Sequence, residues 1–328
     1  MKLFRQIAAL LLIFAAFATF NGSMYALCTS RLSNNFSGAT QMRMVDVGRY
    51  LPFEEGSDLP EIDSSLRLSG DLPVLDGAAA LVPVYASVIE NVYPAGCVAF
   101  EGGSFSDDNY YGENFAPESV MQYQNTVRGY KAIVDGGTDL FFSAGPSEEQ
   151  KAYAAEKGVE LIYVPVGLEA FVFFVNRKNP VEDLSSEEIR RIYSGEIRNW
   201  AAFGGPNRVI NPVTRLSGSG SQTMFEHFMG DAKIGRKSPF ALAGGSIGFS
   251  FRYYLEGMVQ NGDVKMISLD GVYPNGENIR NRTYPVVTPF YAIYRADNPN
   301  ENIPRLVDWL LSEEGQTLIE KTGYARIR

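Results

Sequence analysis

Arg215 and the short side chains that follow it are the residues of this 328-residue chain best suited to chemistry. The stretch reads Arg215-Leu-Ser-Gly-Ser-Gly-Ser-Gln222. A guanidinium offers a planar fork of donors that matches an oxyanion. Ser217, Ser219 and Ser221 add hydroxyls, and Gly218 and Gly220 let the backbone approach a ligand. Before the loop, Arg208-Val-Ile-Asn-Pro-Val-Thr214 leans to strand; after it, Met224, Phe225, Phe228 and Met229 share a helical face. Strand, glycine-serine turn and helix start, in that order, build an anion cradle. The first N–H groups of a helix have no partner inside it, and the helix dipole is positive there. The same residues also fit a plain helix start, since Ser219-x-x-Gln222 and Thr223-x-x-Glu226 both have capping-box spacing.

Other chemistries find less support. The chain has one histidine, His227, and two cysteines, Cys28 and Cys97, too few for a Cys/His zinc site or a nucleophilic triad. A hydrolase acting through Ser219 or Ser221 would need another base, and the nearest downstream lysine is Lys233. No catalytic residue, metal or cofactor is expected. A net charge of −9 without a basic run excludes an electrostatic nucleic-acid binder. It also means that any anion must be held by local, preorganised donors. Adjacent acids such as Asp107-Asp108 and Glu148-Glu149 read as solvated surface or helix-start charge.

The elements that must position Arg215 follow from periodicity. Leu72 to Asp76 reads as a strand, Gly77 to Ala80 as a small-residue turn, and Leu81 to Ile89 as a helix with Pro83 in its first turn. That is a second strand-to-helix junction. Glu101 to Asn114 reads as an exposed loop. A helix follows from Gln124 to Val134 with Thr126 as cap, then an apolar strand from Thr138 to Ser143. Val159–Val166 and Ala170–Val175 read as two strands, Tyr284–Tyr294 as a crossing strand or strand pair, and Ile303–Thr322 as one amphipathic helix. Alternating strands and helices predict an α/β fold with mostly parallel sheets. Two apolar crossings, near Gly167–Phe173 and Pro285–Tyr291, place an inserted domain in the middle of the chain. The two strand-to-helix turns would then face each other across a cleft.

The N-terminus has the pattern of an export signal: Lys2 and Arg5, an apolar run from Ile7 to Phe20, then small and polar residues. The run is short for a membrane span, although an uncleaved anchor is also open. Tyr25-Ala-Leu-Cys28 departs from a lipoprotein box at the large Leu27. An exported chain could pair Cys28 with Cys97, or leave Cys97 a buried thiol. Residues 29 to about 70 are polar and weakly periodic, a tether or a wrapping arm.

Several stretches, in order, carry a resemblance: Leu75 to Tyr85, Asp139 to Ser147, Leu184 to Trp200, Arg215 to Gln222 and Glu314 to Tyr324. Over residues 70 to 328 the chain resembles the PstS-like, phosphate-binding branch of the periplasmic substrate-binding proteins of ABC importers. The resemblance implies a two-lobed α/β fold of the periplasmic-binding-protein type (type II) with a hinge. It divides the chain into a signal peptide or anchor (1–27), an arm (28–70), lobe 1 (71–167 with 285–328) and an inserted lobe 2 (168–284). It implies oxyanion contacts from Arg215, Ser219, Gly220 and Ser221, from the turn at Ala79 and Ala80, from Ser143, and from Asn125 and Thr126. Implied partners are phosphate as the leading anion and a membrane permease, for an exported monomer in the periplasm or on the cell surface. A sensor or surface binding module on the same fold is the alternative. The chain departs from the family where a threonine is often found at Ala79, an aspartate at Ala144 and an acid at Ser217. An aspartate at Ala144 would accept the proton of a protonated phosphate, so its loss widens the expected ligand from phosphate to small oxyanions.

Overall fold

The computed structural model describes residues 14, 16–24, 47–102, 115–215, 217–235, 245–259 and 262–327. The charged start of the export signal, Cys28 and residues 103–114 of the expected loop lie outside the described residues. Among the described residues no helix is long and apolar enough to cross a membrane.

The fold is organised by one long strand. Strands β1 (Leu75–Gly77) and β2 (Leu140–Ser143) pair in parallel. Helices α1 (Val82–Val92) and α2 (Asn125–Asp135) form the crossover that a parallel pair requires. Helix α3 (Glu148–Glu156), started by a Ser147/Gln150 capping box, leads into β3. Strand β3 runs unbroken from Leu161 to Asn176, 16 residues, roughly 50 Å at the usual rise. The two expected strands are therefore one. Pro165, which has no N–H for the ladder, is absorbed by a bulge between Pro165 and Gly167. A Cβ on Gly167 would lie 2.3 Å from the Phe290 ring, so the bulge also needs a residue without one.

After β3 come β4 (Asp183–Leu184), α4 (Ser186–Tyr193), β5 (Ile210–Pro212), α5 (Gly220–Met229) and β6 (Gly245–Phe251). The chain continues through β7 (Val264–Met266), β8 (Ser268–Leu269), α6 (Gly276–Arg280) and β9 (Val287–Arg295). It closes with α7 (Asn302–Leu311), α8 (Glu313–Lys321) and β10 (Ala325–Arg326). The first half of β3 pairs with β9, from Leu161↔Arg295 to Ala170↔Val287. The second half pairs with β6, from Phe171↔Phe251 to Val175↔Ile247, and with β7. The main path of the sheet is β1-β2-β9-β3-β6-β5. The partner change at Ala170/Phe171 divides the sheet into two halves, one for each lobe of a two-lobed α/β fold.

The sheet is mixed where mostly parallel pairing was expected. Parallel pairs arise only where helices supply the crossover, as for β1–β2 and for β5–α5–β6. The long ribbon of β3 instead receives β9, β6, β7 and β10 antiparallel. Strand β2 shows the packing logic within a half: Leu140 and Phe142 join the main core, while Phe141 faces the other way into a cluster with Tyr130, Ile133, Val134 and Ile293.

Two further expectations change. The amphipathic stretch from Ile303 to Thr322 is two helices, because Ser312 leaves the helical conformation to cap α8, accepting from the Gly315 N–H. Of the two readings for residues before 71, the described part from 47 to 70 is a wrapping arm. Val47, Tyr50, Leu51 and Leu68 are buried in the core, Asn91 accepts from the Ile62 N–H, and Glu314 accepts from Ser65.

Candidate functional site

Three helix starts converge on one cavity between the halves. Strand β1 ends at Gly77, and Ala79–Leu81 form a single 3-10 turn before α1. Helix α2 begins at Asn125, whose backbone is left-handed (φ 62°), a conformation that asparagine tolerates better than most side chains. Its carboxamide oxygen accepts from the Thr126 N–H at 2.7 Å and, at 3.4 Å, from the Ala79 N–H. The cap expected from Thr126 is thus replaced by a link between two turns of the same lobe, and Thr126 itself lies within the helix.

The third start belongs to α5. Ser219 is its N-cap and accepts from the Gln222 N–H at 3.3 Å. The reciprocal half of the capping box is missing because the Gln222 side chain is used elsewhere: it accepts from the Arg215 N–H at 2.9 Å and donates to Glu226 at 2.9 Å. Gln222 therefore ties the strand side of the loop to its helix side. A helix that begins at Gly220 leaves Thr223 inside it, so the second capping-box reading does not apply. Gly218 turns the loop with φ 77°, which favours glycine. The loop reaches across the cleft: positions for a Cβ on Gly218 and Gly220 lie 3.6 Å from Val127 and 3.8 Å from the Thr126 hydroxyl.

The cavity measures about 80 Å³. A water needs roughly 10–15 Å³ of such space, so there is room for a small polyatomic ion. Arg215, Ser219, Gly220, Ser221, Ala79, Ala80 and Thr126 all line it, with Asn125. Ser143 is not in the wall; it is buried and its hydroxyl donates to the Ala144 carbonyl, and Ala144 takes the lining position. Ser217 is exposed outside it. The remaining wall is largely aromatic, with Tyr123, Phe251, Tyr254, Phe290 and Tyr324. The Arg215 guanidinium carbon stands 5.8 Å from the centre of the Tyr254 ring, a cation–π distance that fixes where the fork lies.

Two buried carboxyls belong to the site's surroundings. Asp76 is fully buried behind the first turn, and its Oδ1 accepts from the Gly77 and Gln124 N–H groups at 2.7 and 3.0 Å. Burial pushes this carboxyl up to about 7, against the lowering effect of those two bonds. Protonation of Asp76, favoured below about pH 7, removes anionic charge from behind the cradle. Glu169, on β3 next to the partner change, lines the cavity directly. Its burial also raises the carboxyl to about 7, although Arg252 at 3.6 Å and two backbone N–H groups pull the other way. Reading the sequence for motifs missed Glu169. Its signal was a single acid within the apolar run from Gly167 to Val175. Among the described residues no cluster of three His, Cys, Asp or Glu is placed to hold a metal ion.

Two α/β lobes about a shared pair of crossing strands, with helix N-termini and one arginine facing an interlobe cavity, define a bilobal ligand-binding protein. The PBP superfamily domain matches residues 111–314, more than half of the chain, and the chain belongs to that superfamily. It is similar to the phosphate-binding protein PstS of Bacillus subtilis, 25% identical over 272 residues that cover 79% of this chain and 81% of the relative. It is also similar to protein SphX of Synechococcus elongatus, 24% identical, covering 77% of this chain and 86% of that protein. Among solved structures, a Clostridium perfringens substrate-binding protein with bound phosphate shares the fold at TM-score 0.56 and 24% identity, covering 77% of this chain and 98% of that one.

Proposed function

We propose that this protein captures a small oxyanion, phosphate foremost, in the interlobe cavity and delivers it to the permease of an ABC importer. The observation that carries this reading is the meeting of three helix starts and Arg215 on one cavity. Partial positive charge from the helix ends and full charge from the guanidinium are aimed at the same space. The named PstS relative binds phosphate, and the structural neighbour was solved with phosphate bound.

The magnitudes suffice. Hydrogen bonds to a charged group contribute roughly 1.5–3 kcal/mol each. Micromolar binding needs about 8 kcal/mol, within reach of Arg215 and four or five donors after ordering costs. On this reading Arg215, the hydroxyls of Ser219, Ser221 and Thr126, and the N–H groups of Ala80, Gly220 and Ser221 hold the anion, with the Ala79 N–H shared between the anion and Asn125. Ser143 supports the wall from behind. The lobes are residues 71–167 with 285–328, and 168–284, and they close about the crossing of β3 and β9. The protein acts outside the cytoplasm as a binder rather than an enzyme, working as a monomer.

Isothermal calorimetry with phosphate, sulfate, molybdate and tungstate tests the reading. Binding of at least one of them in the micromolar range or tighter is the expected result. A wild-type protein that binds none of the four refutes it.

A further inference from the structure

Glu169 is the one carboxyl in the cavity wall among its described residues, as Arg215 is the one guanidinium. The side chain is only 3% exposed and its position is fixed from two sides. Oε1 accepts from its neighbour's N–H, Ala170, at 2.8 Å, and Oε2 accepts from Tyr253 N–H at 3.1 Å. A carboxylate has about four lone-pair sites, so two backbone donors leave acceptor capacity unused in this lining residue. The groups around it are Arg252 and Tyr253 after β6, Glu256 in the next turn, and Tyr324 ahead of β10. Arg215 and Tyr254 stand in the same cavity wall. Arg252 is shared with Glu256 and with the Gly323 carbonyl, so it does not neutralise Glu169 alone. Burial raises the tyrosines, which stay neutral, and holds Glu169 near 7.

An ionised carboxylate repels a bare anion placed in the same small cavity. The repulsion is offset when the ligand brings an O–H that donates to the carboxylate, and it vanishes when the carboxyl is itself protonated. We propose that Glu169 reads the protonation of the bound oxyanion, accepting a hydrogen bond from a ligand that carries a proton and admitting a fully ionised one only when Glu169 holds the proton instead. The inference rests on the anion reading of the cavity and deepens it. Hydrogen phosphate and hydrogen arsenate satisfy Glu169 across neutral pH; sulfate does not. No bond to phosphorus or sulfur changes, and only the position of one proton differs between the two cases. The fold thereby supplies, from β3, an acceptor that is missing at Ala144.

The test is calorimetric titration of the full chain with phosphate and with sulfate between about pH 6 and about pH 8.5, for wild type and Glu169→Gln. In wild type, sulfate affinity should fall about tenfold per pH unit above about pH 7, as one linked proton requires, while phosphate affinity changes little. In Glu169→Gln, which can donate as well as accept, sulfate binding should become flat with pH. The phosphate-to-sulfate preference should drop at least about tenfold. If Glu169→Gln fails to fold, Asp76→Asn keeps the proposal falsifiable: the sulfate slope should persist in it, and its loss there would assign the proton to Asp76 and overturn the proposal. Phosphate binding with a flat sulfate profile, sulfate left unbound at about pH 6, or an unchanged preference in a folded Glu169→Gln overturns the proposal and leaves the anion reading standing. Failure of wild type to bind phosphate or sulfate overturns the proposal, and failure with molybdate and tungstate as well overturns the anion reading too.

Discussion

At Arg215, charge and shape can be separated by substitution. Arg215→Lys keeps a cation but loses the planar fork and the stacking on Tyr254. Phosphate affinity measured by calorimetry should fall about tenfold in that variant and at least about a hundredfold in Arg215→Ala, corresponding to roughly 1.4 and 3 kcal/mol. Equal losses in both would show that the fork, not the charge alone, holds the anion; no loss in Arg215→Lys would show that only charge matters. Gly167 is a different kind of critical residue. An added methyl would meet the Phe290 ring and also the Ile319 side chain at 3.2 Å. Gly167→Ala should therefore lower stability by about 1–3 kcal/mol, read from urea unfolding, through overpacking at the bulge. Neither consequence is visible at the residue itself; each follows from what the fold brings against it.

The element that matters most is the loop into α5, held from two sides by Gln222. Its side chain fixes the Arg215 backbone, and its own N–H is fixed by Ser219. Gln222→Ala should leave the helix formed, since alanine favours helices, yet loosen the loop that carries the guanidinium. Phosphate affinity should drop about three- to tenfold with a small change in melting temperature; an unaltered affinity would mean that the loop is held by other contacts. Ser219→Ala instead removes the cap and should cost about 0.5–2 kcal/mol of stability. Much of this element was legible in advance, because glycines, serines and the apolar helical face are local signals. The box at Thr223 and the cap at Thr126 were not resolved that way, because two starts were equally compatible with local spacing and tertiary contacts chose between them. The Ser312 break between α7 and α8 is another such choice, set by the cap on Gly315 rather than by periodicity.

For the whole molecule, two buried carboxyls predict how stability varies with pH. Asp76 and Glu169 have folded values near 7, above their ordinary range. Between about pH 4 and about pH 7 the native state therefore holds protons that the unfolded chain has released. Their contribution is fully present below the unfolded values and is lost as pH rises towards 7. Without ligand, the melting temperature should fall across that window relative to Asp76→Asn, whose profile should be flatter. Parallel profiles would exclude Asp76 as a source. Saturating phosphate should raise the melting temperature at each pH, since a ligand bound only by the native state adds RT ln(1 + [L]/Kd).

The sequence by itself determined the α/β class, the glycine-serine turn behind Arg215, the matching turn before Leu81 and the apolar crossings that link the lobes. Each is a local pattern of backbone preference and hydrophobic period. Pairing was decided elsewhere. Local preference says that Leu161–Asn176 is extended, but not that it is one ribbon serving both lobes with antiparallel partners on each half. That register, set by side chains 80 residues apart such as Phe171 and Phe251, is what puts Glu169 in the wall of the cavity that Arg215 also lines. The placement of both residues follows from cooperative, non-local burial, which raises a carboxyl and gathers three helix starts only once the sheet has formed.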